Sequence, residues 1–309
     1  MIKKLLLLSG ISIGTIHLTA QEKVQWATPA HENGIYSINL KGIVLEANPQ
    51  AGGRISALKI GDRNFLTGRD INATYWGSSL WPSPQHIWNS ANLAELDNEP
   101  YTAAIENNSI TMISRKDKKS GFVFTKEISG SKADNVFIIK YTINNQSDSI
   151  RKVAPWEVTR VFPKGLAFFP KGKGERWGSM ANLAEDKNGI TWFNHDNNRI
   201  PAQHNKFFSD GTGGWVAQVN DGVILVKKFP DIDITDAAPS EAEVEIYSNA
   251  AKSYVEIEQQ GAYEELTPAC SLHWEVIWYV RKLPAHMKAE TGNPELVTYV
   301  RNLLNDQKK

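Results

Sequence analysis

Two runs near the end of the chain alternate between polar and apolar side chains, and this alternation constrains the fold more than any other feature. In residues 254–258, two aliphatic residues separate Tyr254, Glu256 and Glu258. The second run has apolar residues at every other position, namely Leu272, Trp274, Val276, Trp278 and Val280. Successive side chains of a strand point to opposite faces. The runs therefore predict two strands around a turn, each with one face in a core.

The same residue types recur along most of the chain. Short runs rich in Val, Ile, Phe, Tyr and Thr extend from residue 35 to 282, and clusters of Gly, Asn, Asp, Ser and Pro separate them. This pattern predicts an all-β fold. Residues 66–101, predicted as a long loop, and residues 162–212, where only 190–193 are predicted as a strand, interrupt it, and both are candidates for walls around a cleft. Near the end, apolar residues at helical spacing follow Pro294, which predicts a short C-terminal helix over about 294–305.

The first 20 residues are predicted to be a secretory signal peptide. Lys3 and Lys4 precede an apolar stretch, and the small residue Ala20 follows it. The stretch is too short and too polar to predict a membrane span. We therefore expect residues 21–309 to form a single exported domain, periplasmic or extracellular, with no membrane insertion of the mature chain.

The composition excludes several classes of protein. Lys plus Arg and Asp plus Glu both number 34, so the basic surface of a nucleic-acid-binding protein is not expected. Cys270 is the only cysteine, which excludes an internal disulfide, and we expect it to be buried. The sequence lacks recognised metal, phosphate and dinucleotide motifs, so we predict neither a metal nor a cofactor. Nothing in the sequence specifies the oligomeric state.

The acidic face of residues 254–258 suggests a ligand class. Carboxylates accept hydrogen bonds from hydroxyl groups, and aromatic rings cover the apolar face of a sugar ring. Carboxylates in a row beside aromatic residues therefore suit a concave sheet that binds carbohydrate. An ordinary solvated sheet face is the alternative explanation of the same residues.

Several segments together resemble the galactose mutarotase-like (aldose 1-epimerase-like) superfamily, and within it a branch of secreted bacterial proteins. The matching segments are residues 49–55 (PQAGGRI), residues 81–86 (WPSPQH), the pair Asn144-Asn145, and residues 255–272 (VEIEQQGAYEELTPACSL). The last contains a turn similar to the family's Leu-x-Pro-Gly-Glu-Ser turn, with Ala269 and Cys270 in place of Gly and Glu. The resemblance implies an antiparallel β-supersandwich that binds sugar on the concave face of its larger sheet.

The resemblance also implies acid/base chemistry without a cofactor. A carboxylate base deprotonates the anomeric hydroxyl and a histidine acid protonates the ring oxygen. The position matching the base is Glu258, with Glu256 one pleat away, and His86 lies where related proteins carry a histidine. The strand that holds the family's acid histidine has Glu157 and Arg160 instead, so Glu157 becomes a second candidate for the acid.

The remaining candidates are residues suited to substrate contact, each of which could equally be structural: Arg54, Trp81, Gln85, Trp88, Trp156, Arg160 and His204 with its neighbours Asn205 and Lys206. Together these features predict an exported carbohydrate-binding protein that acts as an aldose epimerase-like isomerase. A non-catalytic carbohydrate-binding protein, and a lyase or hydrolase for acidic polysaccharide, are the alternatives that the sequence leaves open.

Overall fold

The structure is a computed structural model that describes residues 25–88, 93–203 and 205–305. The predicted signal peptide and His204 lie outside these residues. Within them, no helix is both long enough and apolar enough to cross a membrane.

Strands dominate the described part of the chain. It contains 21 strands and one α-helix, which are, in chain order, β1 Ala30–Glu32, β2 Ile35–Leu40, β3 Ile43–Asn48, β4 Arg54–Ile60, β5 Arg63–Asn64, β6 Ser78–Ser83, β7 Thr102–Glu106, β8 Ser109–Ile113, β9 Phe122–Ser131, β10 Val136–Asn145, β11 Arg151–Val161, β12 Leu166–Pro170, β13 Glu185–Lys187, β14 Ile190–Asn194, β15 Lys206–Ser209, β16 Trp215–Asn220, β17 Val223–Lys228, β18 Val244–Ser248, β19 Val255–Gln260, β20 Glu264–Leu266, β21 Ser271–Lys282 and α1 Pro294–Asn305. The all-β prediction is confirmed, and α1 has the predicted bounds.

The strands form two antiparallel sheets. The first sheet has eleven strands, nine of them in the order β1-β2-β3-β4-β6-β11-β19-β18-β15, with β5 paired to β4 and β20 to β11. The second sheet has ten strands in the order β13-β14-β12-β16-β17-β21-β10-β9-β8-β7. Because β6, β11, β19, β18 and β15 are neighbours, residues far apart in sequence share one surface of the first sheet.

The core lies between the two sheets, and the alternation in the sequence accounts for it. Val255 and Ile257 of β19 are buried on the inner face of the first sheet. The apolar residues of β21 that the sequence singles out are buried in the same core. The outer face of the second sheet is covered in part by α1, whose Leu296 and Val300 pack near Tyr279. The two runs are thus strands as predicted, but β19 and β21 belong to different sheets instead of forming one hairpin.

Two other predictions about local structure are wrong. The predicted loop 66–101 contains β6, and residues 162–212 contain β12, β13 and β15 in addition to the predicted strand at 190–193, which is β14. Strand β6, Ser78–Ser83, is buried at all six positions, and its sequence SSLWPS does not alternate between polar and apolar residues. Cys270 is exposed in the turn before β21, where the Thr267 hydroxyl lies 3.0 Å from its Sγ.

Candidate functional site

The outer face of the first sheet carries a group of polar and aromatic side chains from five neighbouring strands. Residues opposite each other in an antiparallel pair point to the same face. The register sets Trp81 of β6 opposite Trp156 of β11, Arg160 of β11 opposite Glu256 of β19, Glu258 of β19 opposite Glu245 of β18, and Tyr247 of β18 opposite Lys206 of β15.

These side chains border a cavity of about 440 Å³, which we call the sheet cavity. The cavity is lined by Tyr75, Trp81, Gln85, Trp156, Gly178, Ser179, Asn205, Lys206, Phe208, Tyr247, Tyr254 and Glu256. Half of these residues carry aromatic rings, while the cavity also presents one carboxylate and one ammonium group. Such a combination of ring faces and a few polar groups is typical of a site for a small polar ligand.

The aromatic wall is built around Trp81. Its ring meets that of Trp156 at 5.3 Å and that of Tyr75 at 6.2 Å, both nearly perpendicular. The indole N–H of Trp81 is buried and makes no hydrogen bond to any described residue. A buried indole usually finds an acceptor. The N–H is covered in this structure, so Trp81 contributes its ring and not its N–H to the surface of the cavity.

Lys206 is held rigidly at the edge of the cavity. Its ammonium group forms ion pairs with Glu258 at 3.0 Å and with Glu245, and it lies 4.5 Å from the centre of the Trp156 ring. Burial disfavours its charge, but the attraction of the two carboxylates outweighs burial and raises the pKa of Lys206. Lys206 thus remains a cation near neutral pH and acts as a hydrogen-bond donor, not as a proton donor.

Glu256 is the carboxylate that lines the cavity. Its Oε1 accepts a hydrogen bond from Arg160 Nε at 2.7 Å. The guanidinium group of Arg160 is fully buried, with Trp81 and Tyr75 at 4.9 and 5.5 Å. Burial raises the pKa of Glu256 to about 7, although the charge of Arg160 opposes the shift. A carboxyl group with this pKa can accept or donate a proton near neutrality.

Glu258, the predicted base, lies deeper. It is fully buried, and its Oε2 accepts hydrogen bonds from Trp156 Nε1 at 2.9 Å and from Lys206 Nζ at 3.0 Å. Its Oε1 makes no hydrogen bond within the described chain. Trp156 and Lys206 therefore engage one oxygen of Glu258 and leave the other without a partner, whereas Glu256 meets the cavity directly.

The structure brings together eight of the predicted site residues. Trp81, Gln85, Trp156, Asn205, Lys206 and Glu256 line the sheet cavity, and Arg160 and Glu258 contact its lining residues. His86 is exposed on the turn that follows β6 and is not among the lining residues. Trp88 lies behind Trp81, where its indole donates to Pro82 O at 2.6 Å.

A predicted substrate contact, Arg54, and a candidate for the acid, Glu157, point elsewhere. Arg54 is buried in an ion pair with Asp97 at 3.0 Å and also donates to backbone carbonyls, including Thr74 O at 2.9 Å. Glu157 is on the opposite face of β11 from Trp156 and lies between the sheets, where Tyr141 donates to it at 2.6 Å. Both side chains hold the fold together, and their positions do not support contact with a ligand in the sheet cavity.

Several lining residues were not predicted from the sequence, namely Tyr75, Gly178, Ser179, Phe208, Tyr247 and Tyr254. Tyr254 shares the face of Glu256, and the alternation of residues 254–258 could have identified it. Tyr75 and Gly178 come from segments without a strand pattern. None of the described histidines lines the cavity, and no group of acidic, histidine or cysteine side chains in the described residues is arranged to hold a metal ion.

Comparison with known proteins is informative only at the level of structure. No protein-family model matches the sequence, and no curated protein does. A solved TPR-domain containing protein from Parabacteroides distasonis is 13% identical with a TM-score of 0.57; the match covers 83% of this chain and 49% of that one, so the chain spans about half of its length.

Two further solved structures match over nearly their whole length. A galactose mutarotase related enzyme from Lactobacillus acidophilus is 13% identical with a TM-score of 0.55, and the match covers 82% of this chain and 99% of that one. A galactose mutarotase-like protein from Lactobacillus casei is 11% identical with a TM-score of 0.53, with 80% and 100% covered. At these identities the comparison establishes the fold, and it confirms the resemblance seen in the sequence: the chain has the galactose mutarotase-like β-sandwich fold.

Proposed function

We propose that this protein binds a carbohydrate in the sheet cavity. The observation that carries the proposal is the lining itself, in which six aromatic residues surround a single carboxylate and a single ammonium group. Ring faces complement the CH face of a sugar, while Glu256 offers an acceptor and Lys206 a donor for its hydroxyl groups.

Binding is tested by calorimetry of the purified protein against a panel of neutral hexoses, pentoses and their disaccharides. Tyr247 lines the cavity and is half-buried, so Tyr247→Ala should remove part of the wall and weaken sugar binding by roughly 5- to 15-fold. Tyr299 on α1 is also half-buried but lies on the second sheet's outer face, and Tyr299→Ala is the matched control. An absence of binding across the whole panel would reject the proposal.

Anomer interconversion is a second candidate function. The observation favouring it is that Glu256 faces the cavity with a pKa of about 7 and could transfer a proton at either the anomeric hydroxyl or the ring oxygen. Lys206, which lines the same cavity, could hold the sugar by donating a hydrogen bond to one of its oxygens. Saturation-transfer NMR on the best-bound sugar tests this function, because a binding protein without catalysis would show exchange only at the rate of the buffer.

The lyase or hydrolase for acidic polysaccharide is less well supported. Such a ligand needs cations that are free to meet its carboxylates. Here Arg160 is paired with Glu256, and Lys206 is paired with two buried carboxylates. Each cation is already paired with a carboxylate and is not free to bind an anionic sugar, so we propose that the ligand is a neutral sugar.

We also propose that the protein is exported, since residues 1–20 have the pattern of a signal peptide. N-terminal sequencing of the mature protein from its native host should give a start near Gln21. A mature chain that retains Met1 would reject export by this route.

A further inference from the structure

A second, smaller cavity lies beside the sheet cavity. Its volume is about 250 Å³, and we call it the side cavity. It is lined by Trp177, Asp210, Ile232, Ile234, Ala237, Ala238, Ser240, Glu241, Ala242 and Glu243. One aromatic ring, aliphatic side chains and three acidic residues again combine an apolar platform with hydrogen-bond acceptors.

The two cavities share their boundary. Trp177 of the side cavity stacks on Phe208 of the sheet cavity, with ring centres 5.2 Å apart and planes only 2° from parallel. At a second point, Glu241 of the side cavity accepts a hydrogen bond from the backbone N–H of Gln85 at 2.8 Å. A ligand that fills the sheet cavity and continues past Phe208 would therefore meet Trp177 next.

Trp177 is both exposed and fixed in place. Its side chain is 39% exposed, which is unusual for a tryptophan in this chain. Backbone hydrogen bonds with Phe208 in both directions, at 3.2 and 3.0 Å, attach it to the edge of β15. The next residue is Gly178 with φ of +96°, where a Cβ would lie 2.4 Å from Lys206 O. Only glycine permits this close approach, so the chain is built to hold the Trp177 ring against the sheet.

We propose that the side cavity is a second sugar subsite and that the natural ligand is an oligosaccharide. This inference rests on the proposed carbohydrate binding in the sheet cavity. One sugar unit occupies the sheet cavity, and the next stacks on Trp177. The acidic residues supply acceptors for its hydroxyl groups, and Glu241 is well placed because only one of its oxygens is used by Gln85.

The state of Glu243 is consistent with a ligand of neutral hydroxyl groups. Its Oε2 accepts from Gly211 N at 3.0 Å and its Oε1 from Ile232 N at 3.1 Å. Burial raises the pKa of Glu243 to about 8, and nearby Asp231 and Asp210 add to the shift. A largely protonated carboxyl group can donate as well as accept a hydrogen bond, as a hydroxyl-rich ligand requires.

The test compares a monosaccharide with its oligomers in one protein and two variants. The probes are glucose, galactose, mannose and xylose, each with its β-1,4-linked disaccharide and trisaccharide, and maltose and maltotriose for the α-1,4 series. Calorimetry is run on the wild type, on Trp177→Ala, and on Trp26→Ala. Trp26 is the matched control because it is 38% exposed and pairs with Ser131, far from both cavities in the fold.

For one series, the wild type should bind the oligomer at least roughly tenfold more tightly than the monomer. Trp177→Ala should abolish that gain and leave monomer binding unchanged, Trp177→Phe should retain part of it, and Trp26→Ala should change neither. Equal affinity of monomer and oligomer in the wild type, or an equal loss for both in Trp177→Ala, would overturn the second subsite while leaving the first intact. Failure of every probe to bind would instead overturn the proposed carbohydrate binding, and with it this inference.

Discussion

At the scale of single residues, Glu256 and Glu258 show that two carboxylates one pleat apart on the same strand can have different surroundings. Both point to the outer face of the first sheet, yet Glu258 is covered by Trp156 and Lys206 while Glu256 lines the cavity. The sequence alternation predicts their shared face, but it cannot predict which of the two is covered. That depends on Lys206, which reaches Glu258 from 52 positions earlier in the chain.

The pairing of Glu256 with Arg160 leads to a prediction about ligand charge. In the wild type, a uronic acid should bind more weakly than its neutral parent sugar, because both cations near the cavity are already paired. Glu256→Gln removes the partner of Arg160 and should shift the preference toward the uronic acid by roughly tenfold. Competition binding with glucose and glucuronate, or galactose and galacturonate, measures this ratio.

Glu46→Gln is the control for this substitution, since Glu46 forms an ion pair with Lys59 on β4 instead. It should leave the ratio unchanged. If the ratio of uronic acid to neutral sugar binding also stays constant in Glu256→Gln, the charge of Glu256 does not affect which ligand is bound.

The residue roles that the sequence could not reveal have a common cause. The two glycines before Arg54 suggest, from the local sequence alone, that its side chain could contact a ligand. Its actual partner is Asp97, which is 43 positions away. The same holds for Glu157, whose partner Gln259 is 102 positions away. Local patterns specify which face of a strand a side chain occupies, whereas its hydrogen-bond or ion-pair partner is specified by the tertiary fold.

At the scale of elements, β11 contributes side chains to the cavity from one face and to the contact between the sheets from the other. Trp156 and Arg160 point outward to the cavity, while Glu157 and Thr159 point inward between the sheets. Inside, Glu157 is paired with Lys227 of β17 at 3.0 Å, and both side chains are almost completely buried. This ion pair joins the strand that carries the site to the second sheet.

Breaking the pair from one side should be costly. Lys227→Met leaves the Glu157 carboxylate buried without its cation, and we expect a loss of about 3 to 5 kcal/mol in the free energy of unfolding. Adding Glu157→Gln removes the isolated charge while keeping hydrogen bonds to Tyr141 and Trp278, so the double variant should recover a large part of the loss. Urea unfolding of the wild type, the two single variants and the double variant measures the free energies that this comparison needs. Additive effects of the two substitutions would refute the coupling.

Element-level prediction succeeded where a strand has one apolar and one polar face. The alternation in β19 and β21 is clear because only the apolar face of each joins the core between the sheets. It failed for β6, since Ser78–Ser83 does not alternate between polar and apolar residues and contains Pro82, which is unusual within a strand. The site depends on β6 for Trp81, so part of the cavity was hidden in what the sequence predicted as a loop.

At the scale of the whole molecule, the pattern of short strands and turns was enough to predict an all-β fold with a C-terminal helix, and the resemblance to the galactose mutarotase-like superfamily implied the sandwich. The way the two sheets are joined was not predictable, because it uses buried polar side chains in addition to an apolar layer. Lys126 is an example. It lies on β9 of the second sheet, is almost fully buried, and donates to Gly52 O at 2.8 Å, beside the turn that leads into β4 of the first sheet.

The buried amine of Lys126 should make stability depend on pH. Burial lowers its pKa to about 7, despite opposing attraction from Asp97, and Arg54 nearby lowers it further. In the unfolded chain a lysine titrates at about 10.4. Between these values the unfolded state binds one more proton than the folded state, so the free energy of unfolding gained from this group rises with pH.

Between pH 7 and pH 10, we expect the stability of the wild type relative to Lys126→Met to increase by up to about 4 kcal/mol, at ~1.4 kcal/mol for each unit of pKa difference. The comparison with the variant cancels the contributions of other groups, such as Glu243, whose raised pKa acts in the opposite direction. Urea unfolding at half-unit steps of pH measures the difference, with Lys59→Met, at a partly exposed site, as the control substitution. Parallel stability curves for the wild type and Lys126→Met would mean that Lys126 stays protonated inside the fold, and the link between the sheets would then be an ionic one.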